Sequence, residues 1–137
     1  MLSVFLDSDV ILDVLAKREP YYGNSALVLN LAIEKKINAF TSPLVFANIH
    51  YILNKLNSKY SSLESLKRLR RFIKICPINE KNIDFALNSE FKDFEDAIQN
   101  FSAFDKKINF IVTRNKSDYK FSNLTILNPA EFLKTQN

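Results

Sequence analysis

Short apolar runs alternate along this chain with stretches of helical periodicity. Leu2-Ser3-Val4-Phe5-Leu6 is a β-type run that stops at Asp7-Ser8-Asp9, and Val10-Ile11-Leu12-Asp13-Val14-Leu15 takes up helical spacing at once. The pattern predicts a helix over residues 10–17, broken by Pro20, and a second over 24–36, with Leu27 and Leu31 on one ridge and Val28 and Ala32 on the next. A short strand follows at 38–41. Ser42-Pro43 opens a helix that runs to about residue 56, a cap residue with proline at the first helical position. Ser61 or Ser62 starts the next helix, with Glu64 placed to complete a capping box with Ser61. Strands are expected at 72–76, 108–113 and 124–127, helices at 80–87 and 93–104, and Asn128-Pro129 opens a last helix. Strands separated by helices predict a parallel sheet covered on both faces. No linker, repeat or low-complexity segment interrupts residues 1–137, which read as one domain.

The polar interruptions of this pattern carry the candidate chemistry. Asp7, Asp9 and Asp13 fall at a strand end and in the first turns of a helix, the edge along which open α/β sheets bind ligands. Such acids are poor packing material and suit a hard divalent cation. Ser8 or Asp9 can instead cap the helix, a role that leaves Asp7 without one. A second group is Asp93-Phe94-Glu95-Asp96, where Asp93 and Asp96 share a helix face. Asp93 also fits an N-cap, and acids in a first turn suit the helix dipole. The third group, Thr113 to Asp118, follows a strand and by itself is an ordinary polar turn. In a parallel sheet all three groups converge on one edge.

Composition narrows the choice. Gly23 is the only glycine, which excludes phosphate-cradling loops and dinucleotide fingerprints built from several glycines. Cys76 is the only cysteine, which excludes internal disulfides and cysteine-rich zinc sites and fits a small buried hydrophobe in a reducing cytoplasm. Hydrophobic residues at 47% and charged residues at 25% are ordinary for a globular protein. The N-terminal run lacks the features of a signal peptide, and no apolar run is long enough to span a bilayer. A net charge of +4 is compatible with a polyanionic partner. Its densest basic run, Lys67, Arg68, Arg70 and Arg71 with Lys74, is a candidate RNA-backbone contact or a solvated helix face. His50, the only histidine, lies near Asn48, but its offset of two residues along the helix aims it elsewhere. Tyr21-Tyr22 is a candidate partner surface.

Taken in order, Val4 to Asp13, Thr41-Ser42-Pro43, Asp93-Phe94-Glu95-Asp96-Ala97, Ile111-Val112-Thr113-Arg114-Asn115 and Leu127 to Leu133 resemble the PIN-domain family of small metal-dependent ribonucleases, which includes toxins of bacterial toxin–antitoxin pairs. The resemblance covers nearly the whole chain. It implies a three-layer α/β/α fold with a central parallel sheet of four to five strands. It also implies hydrolysis of RNA phosphodiester bonds at a site of about four acids holding one or two Mg²⁺ or Mn²⁺ ions. Asp7 matches the first family acid and Asp96 the third. Asn48 and Asn115 stand where the family usually carries glutamate and aspartate; Asp9, Asp93 and Asp118 are the acids that can compensate. On this reading Asp7, Asp96 and Asp93 are catalytic and, with Asp118, hold the metal, while Asp9, Asn48, Thr113, Arg114 and Asn115 line the site and Arg114 is placed to meet phosphate. A small antitoxin and a homodimer are implied partners. Two other readings stay open: a PIN fold that binds RNA or protein without cutting, favoured by Asn48 and Asn115, and a haloacid-dehalogenase-type phosphatase. In the latter, Asp7-Ser8-Asp9-Val10 supplies Asp7 as nucleophile and Asp9 as acid/base.

Overall fold

In the computed structural model, which describes residues 1–136, five strands form one parallel sheet. These are β1 (Ser3–Leu6), β2 (Asn38–Thr41), β3 (Ile73–Ile75), β4 (Phe110–Val112) and β5 (Thr125–Leu127), in the order β3-β2-β1-β4-β5. The helices are α1 (Ser8–Leu15), α2 (Tyr22–Ile33), α3 (Pro43–Leu56), α4 (Lys59–Arg70), α5 (Glu80–Leu87), α6 (Phe94–Asp105) and α7 (Pro129–Lys134). They cover both faces of the sheet in a three-layer α/β/α arrangement, α1 and α7 packing on α2, α3 on α4, and α5 on α6. Among the described residues no helix is long and apolar enough to cross a membrane.

The chain steps from β1 out to β2 and β3, then crosses back to β4 and β5. Connections therefore leave β1 and β4 in opposite directions, and the crevice beyond their carboxyl ends is where open sheets take ligands. β1 is the centre of the core. Val4, Phe5 and Leu6 are all fully buried, as a strand covered on both faces requires. Ile11 of α1, Ile49 and Leu53 of α3, Ile111 of β4 and Phe132 of α7 belong to the same core. Thr41 Oγ1 donates to the Leu6 carbonyl at 2.8 Å, tying the ends of β1 and β2 together inside that core. A smaller cluster of Ala86, Ala97 and Ile98, with Phe91 and Phe101 against it, joins α5 to α6.

Local chemistry explains where elements begin. Ser42 caps α3 by accepting from Val45 N, and Asn79 and Asn128 each close a capping box at α5 and α7. Four expectations are corrected. The cap of α1 is Asp7 itself, accepting from Ser8 N, rather than Ser8 or Asp9. α4 begins at Lys59 behind Ser58, whose hydroxyl accepts from Ser61 N; Ser61 is inside the helix, and Glu64 pairs with Lys67 instead of closing a box. α1 ends at Leu15, well before Pro20, because Lys17 enters the left-handed region at φ 49°. Lys35 and Lys107 end α2 and α6 the same way, at φ 59° and 63°. The turn after α6 takes up Ile108, whose N–H donates to the Ala103 carbonyl, so β4 is shorter than the apolar run that predicts it. Helices usually stop on glycine in this conformation. The single glycine is spent elsewhere, within α2.

Candidate active site

Asp7 follows β1 directly, and its N–H continues the ladder to the Val112 carbonyl of β4 at 3.1 Å. Its side chain is 6% exposed and fully engaged. Oδ1 accepts from Ser8 N at 2.8 Å and Gln99 Nε2 at 3.3 Å; Oδ2 accepts from Thr113 Oγ1 at 2.9 Å and contacts the Tyr119 hydroxyl at 3.3 Å. These partners come from four parts of the chain: the first turn of α1, α6, the residue after β4, and a 3₁₀ turn at Lys116–Tyr119.

α6 presents Asp96 and Gln99 three residues apart on one face. Gln99 is buried. Its Oε1 accepts from Ser42 Oγ at 2.9 Å, and its Nε2 donates toward both Asp7 and the Tyr119 oxygen, the latter at 3.1 Å. Tyr119, 1% exposed, also lies 3.1 Å from Asp96 Oδ1. A phenol has one proton to donate. With the Gln99 amide entering its lone pair, it serves only one of the two carboxylates as a donor; the other contact requires a proton on the carboxyl.

The electrostatics favour a proton there. Burial pushes the Asp96 carboxyl up to about 8, with the negative charges of Asp7, Asp93 and Asp118 adding to the rise against the Tyr119 hydrogen bond. Asp9 is raised to about 6, first by burial and then by the charge of Asp7, against hydrogen bonding from the Arg114 N–H. Burial raises Asp7 too, while its hydrogen bonds from Ser8, Thr113, Gln99 and Tyr119 work the other way. The cluster therefore holds less negative charge at neutral pH than its three carboxyls suggest.

The expected Mg²⁺ or Mn²⁺ can be tested on these donors. All are oxygens, the preference of hard cations. Asp9 Oδ1 is buried and has no hydrogen-bond partner, an orphan acceptor where a cation or its water would satisfy it. Among the described residues, no three His, Cys, Asp or Glu side chains are gathered closely enough to enclose an ion by themselves. Mg²⁺ keeps several waters and binds through one or two carboxylates plus substrate oxygens, so it does not need such an enclosure. The residues fit a cation of this kind.

Asp13, read from sequence only as one of three nearby acids, has a different task. It is fully buried and accepts from Arg114 Nε at 2.8 Å and Nη2 at 3.0 Å, from Arg18 Nε at 3.1 Å and from Ser25 Oγ at 3.1 Å. Arg114 is thus held flat, with its guanidinium carbon 3.7 Å from the Tyr21 ring centre. Its backbone N–H donates to Asp9 Oδ2 at 2.9 Å. The Nε–Nη2 edge of the guanidinium is committed to Asp13.

The remaining candidates lie at graded distance. Asp93 caps α6 through Oδ1, which accepts from Asp96 N at 3.0 Å, and it and Asp118 are exposed beside the cluster, reaching Asp96 through charge. Thr113 is buried against Asp7. Asn115 contributes its backbone N–H to Thr113 Oγ1 at 3.1 Å, and its side chain is exposed. Asn48 meets Glu95 Oε2 at 3.5 Å rather than Asp7 or Asp96. Lys67, Arg68, Arg70 and Arg71 are exposed at the end of α4, where the chain enters β3, and so lie at the opposite edge of the parallel sheet from Asp7. His50 is half-buried with Nδ1 2.8 Å from Ser62 Oγ, joining α3 to α4. Cys76 is buried, and burial raises its thiol to about 11. Gln99, Tyr119 and Ser42 were not legible as site residues. Only the spacing of Gln99 from Asp96 offered a signal.

The sequence and the fold both match known proteins. Residues 3–117 match the PIN domain. The ribonuclease VapC1 of Aquifex aeolicus (strain VF5) is 25% identical over 139 residues, covering 98% of this chain and 95% of that protein. Among solved structures, VapBC2 from Rickettsia felis, bound to a DNA fragment from its promoter, superposes with a TM-score of 0.69 at 20% identity, over 93% of this chain and 98% of that one. Mycobacterium tuberculosis VapC20, a toxin that cleaves the sarcin–ricin loop, gives 0.61 at 16% identity over 79% and 86%. With a match that spans most of the sequence and a parallel sheet of the same fold as these structures, the chain belongs to the PIN-domain family.

Proposed function

We propose that this protein is a divalent-cation-dependent endoribonuclease that hydrolyses RNA phosphodiester bonds at Asp7 and Asp96, and that it is the toxin of a toxin–antitoxin pair. One observation carries the reading: the buried Asp7 carboxyl and the half-buried Asp96 carboxyl, from distant parts of the chain, meet across the Tyr119 hydroxyl at the switch point of the sheet. Membership of the family, the ribonuclease name of the Aquifex relative and the toxin structures of similar fold support it.

Asp7 and Asp96 would hold Mg²⁺ or Mn²⁺, with Asp9 Oδ1 the spare oxygen beside them. The bound ion would supply an acidified water and neutralise charge on the scissile phosphate. The protein's own residues set that geometry. Ser8, Gln99 and Thr113 fix the Asp7 carboxylate from three sides, and Tyr119 fixes its separation from Asp96. Exposed Asp93 and Asp118 add negative charge at the rim, which draws a cation inward. Asn48 and Asn115 make no side-chain hydrogen bond to Asp7 or Asp96, so their being amides leaves this frame intact. A phosphatase that uses Asp7 as nucleophile fits less well, since the family match and the relative's ribonuclease name support a nuclease instead.

The partner is a small antitoxin, for which α3 and α4 offer exposed Tyr51, Leu56 and Tyr60; a second copy of the chain is the other expected partner. A single buried thiol fits a reducing cytoplasm as the place of action. The test is cleavage of a mixed RNA pool with Mg²⁺ or Mn²⁺, with chelator, and with Asp7→Asn. The reading expects cuts that chelation stops, that added metal restores, and that the variant slows at least about a hundredfold. Intact RNA under every metal condition would leave a binding module in place of the enzyme.

A further inference from the structure

Beside the acids, on the other side of Arg114, lies a cleft of about 320 Å³ lined by Pro20, Tyr21, Asn24, Arg114, Asn128 and Pro129. We propose that this cleft binds a nucleobase of the RNA next to the scissile phosphate, and so sets sequence preference; the inference rests on the ribonuclease reading above.

Its position comes first. Arg114 N bonds Asp9, and the preceding residue, Thr113, bonds Asp7, so the cleft begins one residue from the acids. A nucleotide with its phosphate at Asp7 has its neighbour's base within reach of it.

Its chemistry is that of a base rather than a phosphate. Arg114 is the cleft's cation, and Asp13 already neutralises it through two bonds. What remains are flat surfaces and amides. The Tyr21 ring is 44% exposed and stacked on a guanidinium that cannot swing away. Single-stranded RNA is read by stacking bases on such aromatic and guanidinium planes and by hydrogen bonds to their edges. Asn24 is exposed and makes no side-chain hydrogen bond among the described residues. Asn128 spends its Oδ1 on capping α7, which leaves its amide protons for a ligand. The two amides together offer donors and an acceptor, the mixture that a base edge presents. The volume admits a purine.

The test titrates ¹⁵N-labelled protein with the four nucleoside 5′-monophosphates, with inorganic phosphate alongside, and maps cut sites in a random RNA pool with the same protein. The inference expects at least one nucleotide to shift the side-chain signals of Asn24, Asn128 and Arg114 Nε–H, while inorganic phosphate leaves them in place. Tyr21→Leu should weaken that binding about tenfold and flatten the base preference beside the cut, and Tyr21→Phe should restore both. Asn24→Ala gives a second reading that leaves the stack intact, and it should change which base is preferred. Cleavage with no nucleotide-dependent shift in the cleft overturns the subsite and spares the nuclease. Shifts without cleavage in any metal keep the cleft as a nucleotide site and remove the nuclease. Equal shifts from inorganic phosphate overturn the base reading.

Discussion

Arg114 closes a two-point ion pair on the fully buried carboxylate of Asp13, 101 residues earlier in the chain, with Nε 2.8 Å from Oδ2 and Nη2 3.0 Å from Oδ1. The pair welds the turn after β4 to α1, and with them the two segments that carry Thr113, Asp9 and Asp7. Removing one partner of a buried pair leaves the other charge without compensation. Because Arg114 is itself about a quarter exposed, the loss falls short of the fully buried case. Asp13→Ala should cost about 3 kcal/mol and lower Tm by roughly 10 °C. Arg114→Lys, which cannot make the fork, should cost about half that. A thermal scan showing both variants within 2 °C of wild type would remove Asp13 from the frame of the site.

Stability of the metal-free protein should fall as pH rises through the neutral range. Unfolded, an aspartate titrates near 4. Folded, burial and neighbouring acids hold Asp9 protonated to about 6 and Asp96 to about 8. Between those values the folded chain binds more protons than the unfolded one, so the free energy of unfolding decreases with pH. Melting in chelator from about pH 5 to 8.5 should show a declining Tm. Asp96→Asn should flatten the decline, and saturating Mg²⁺ should oppose it most at the alkaline end. A Tm that climbs over this range would contradict the electrostatic account.

Glycine is misplaced in this chain from the standpoint of stability. Gly23 lies in the first turn of α2, where an added Cβ meets nothing within 4 Å, while Lys17, Lys35 and Lys107 bear the left-handed turns. Gly23→Ala and Lys107→Gly should each stabilise the protein by about 0.5–1 kcal/mol, as measured by chemical denaturation. Loss of stability in Gly23→Ala would mean that the open space beside it is otherwise used.

Much of the architecture was legible because local signals agreed. Ser42-Pro43 and Asn128-Pro129 mark helix starts that the structure keeps, and the apolar strands order themselves as a parallel sheet. The misplaced boundary at α4 arose where Ser58, Ser61 and Ser62 compete as caps, and hydroxyl spacing alone does not decide between them. The site was legible only where it is acidic. Asp7 and Asp96 stood out, but Gln99 and Tyr119 touch Asp7 across 92 and 112 residues of chain, and nothing local distinguishes a buried glutamine or tyrosine that serves a site from one that fills space. The tie between Arg114 and Asp13 was not legible either, because the two lie a hundred residues apart in the chain.

Binding of Mn²⁺, followed by the loss of the free-ion signal in electron paramagnetic resonance, tests the central claim most directly. Wild type, Asp96→Asn and, as a control, Glu34→Gln, an exposed acid paired only with Lys36, would be titrated side by side. The account predicts saturable binding to wild type, an affinity at least about tenfold weaker in Asp96→Asn, and no change in the control. Identical isotherms for wild type and Asp96→Asn would show that the carboxyls gathered around Tyr119 are not the cation site.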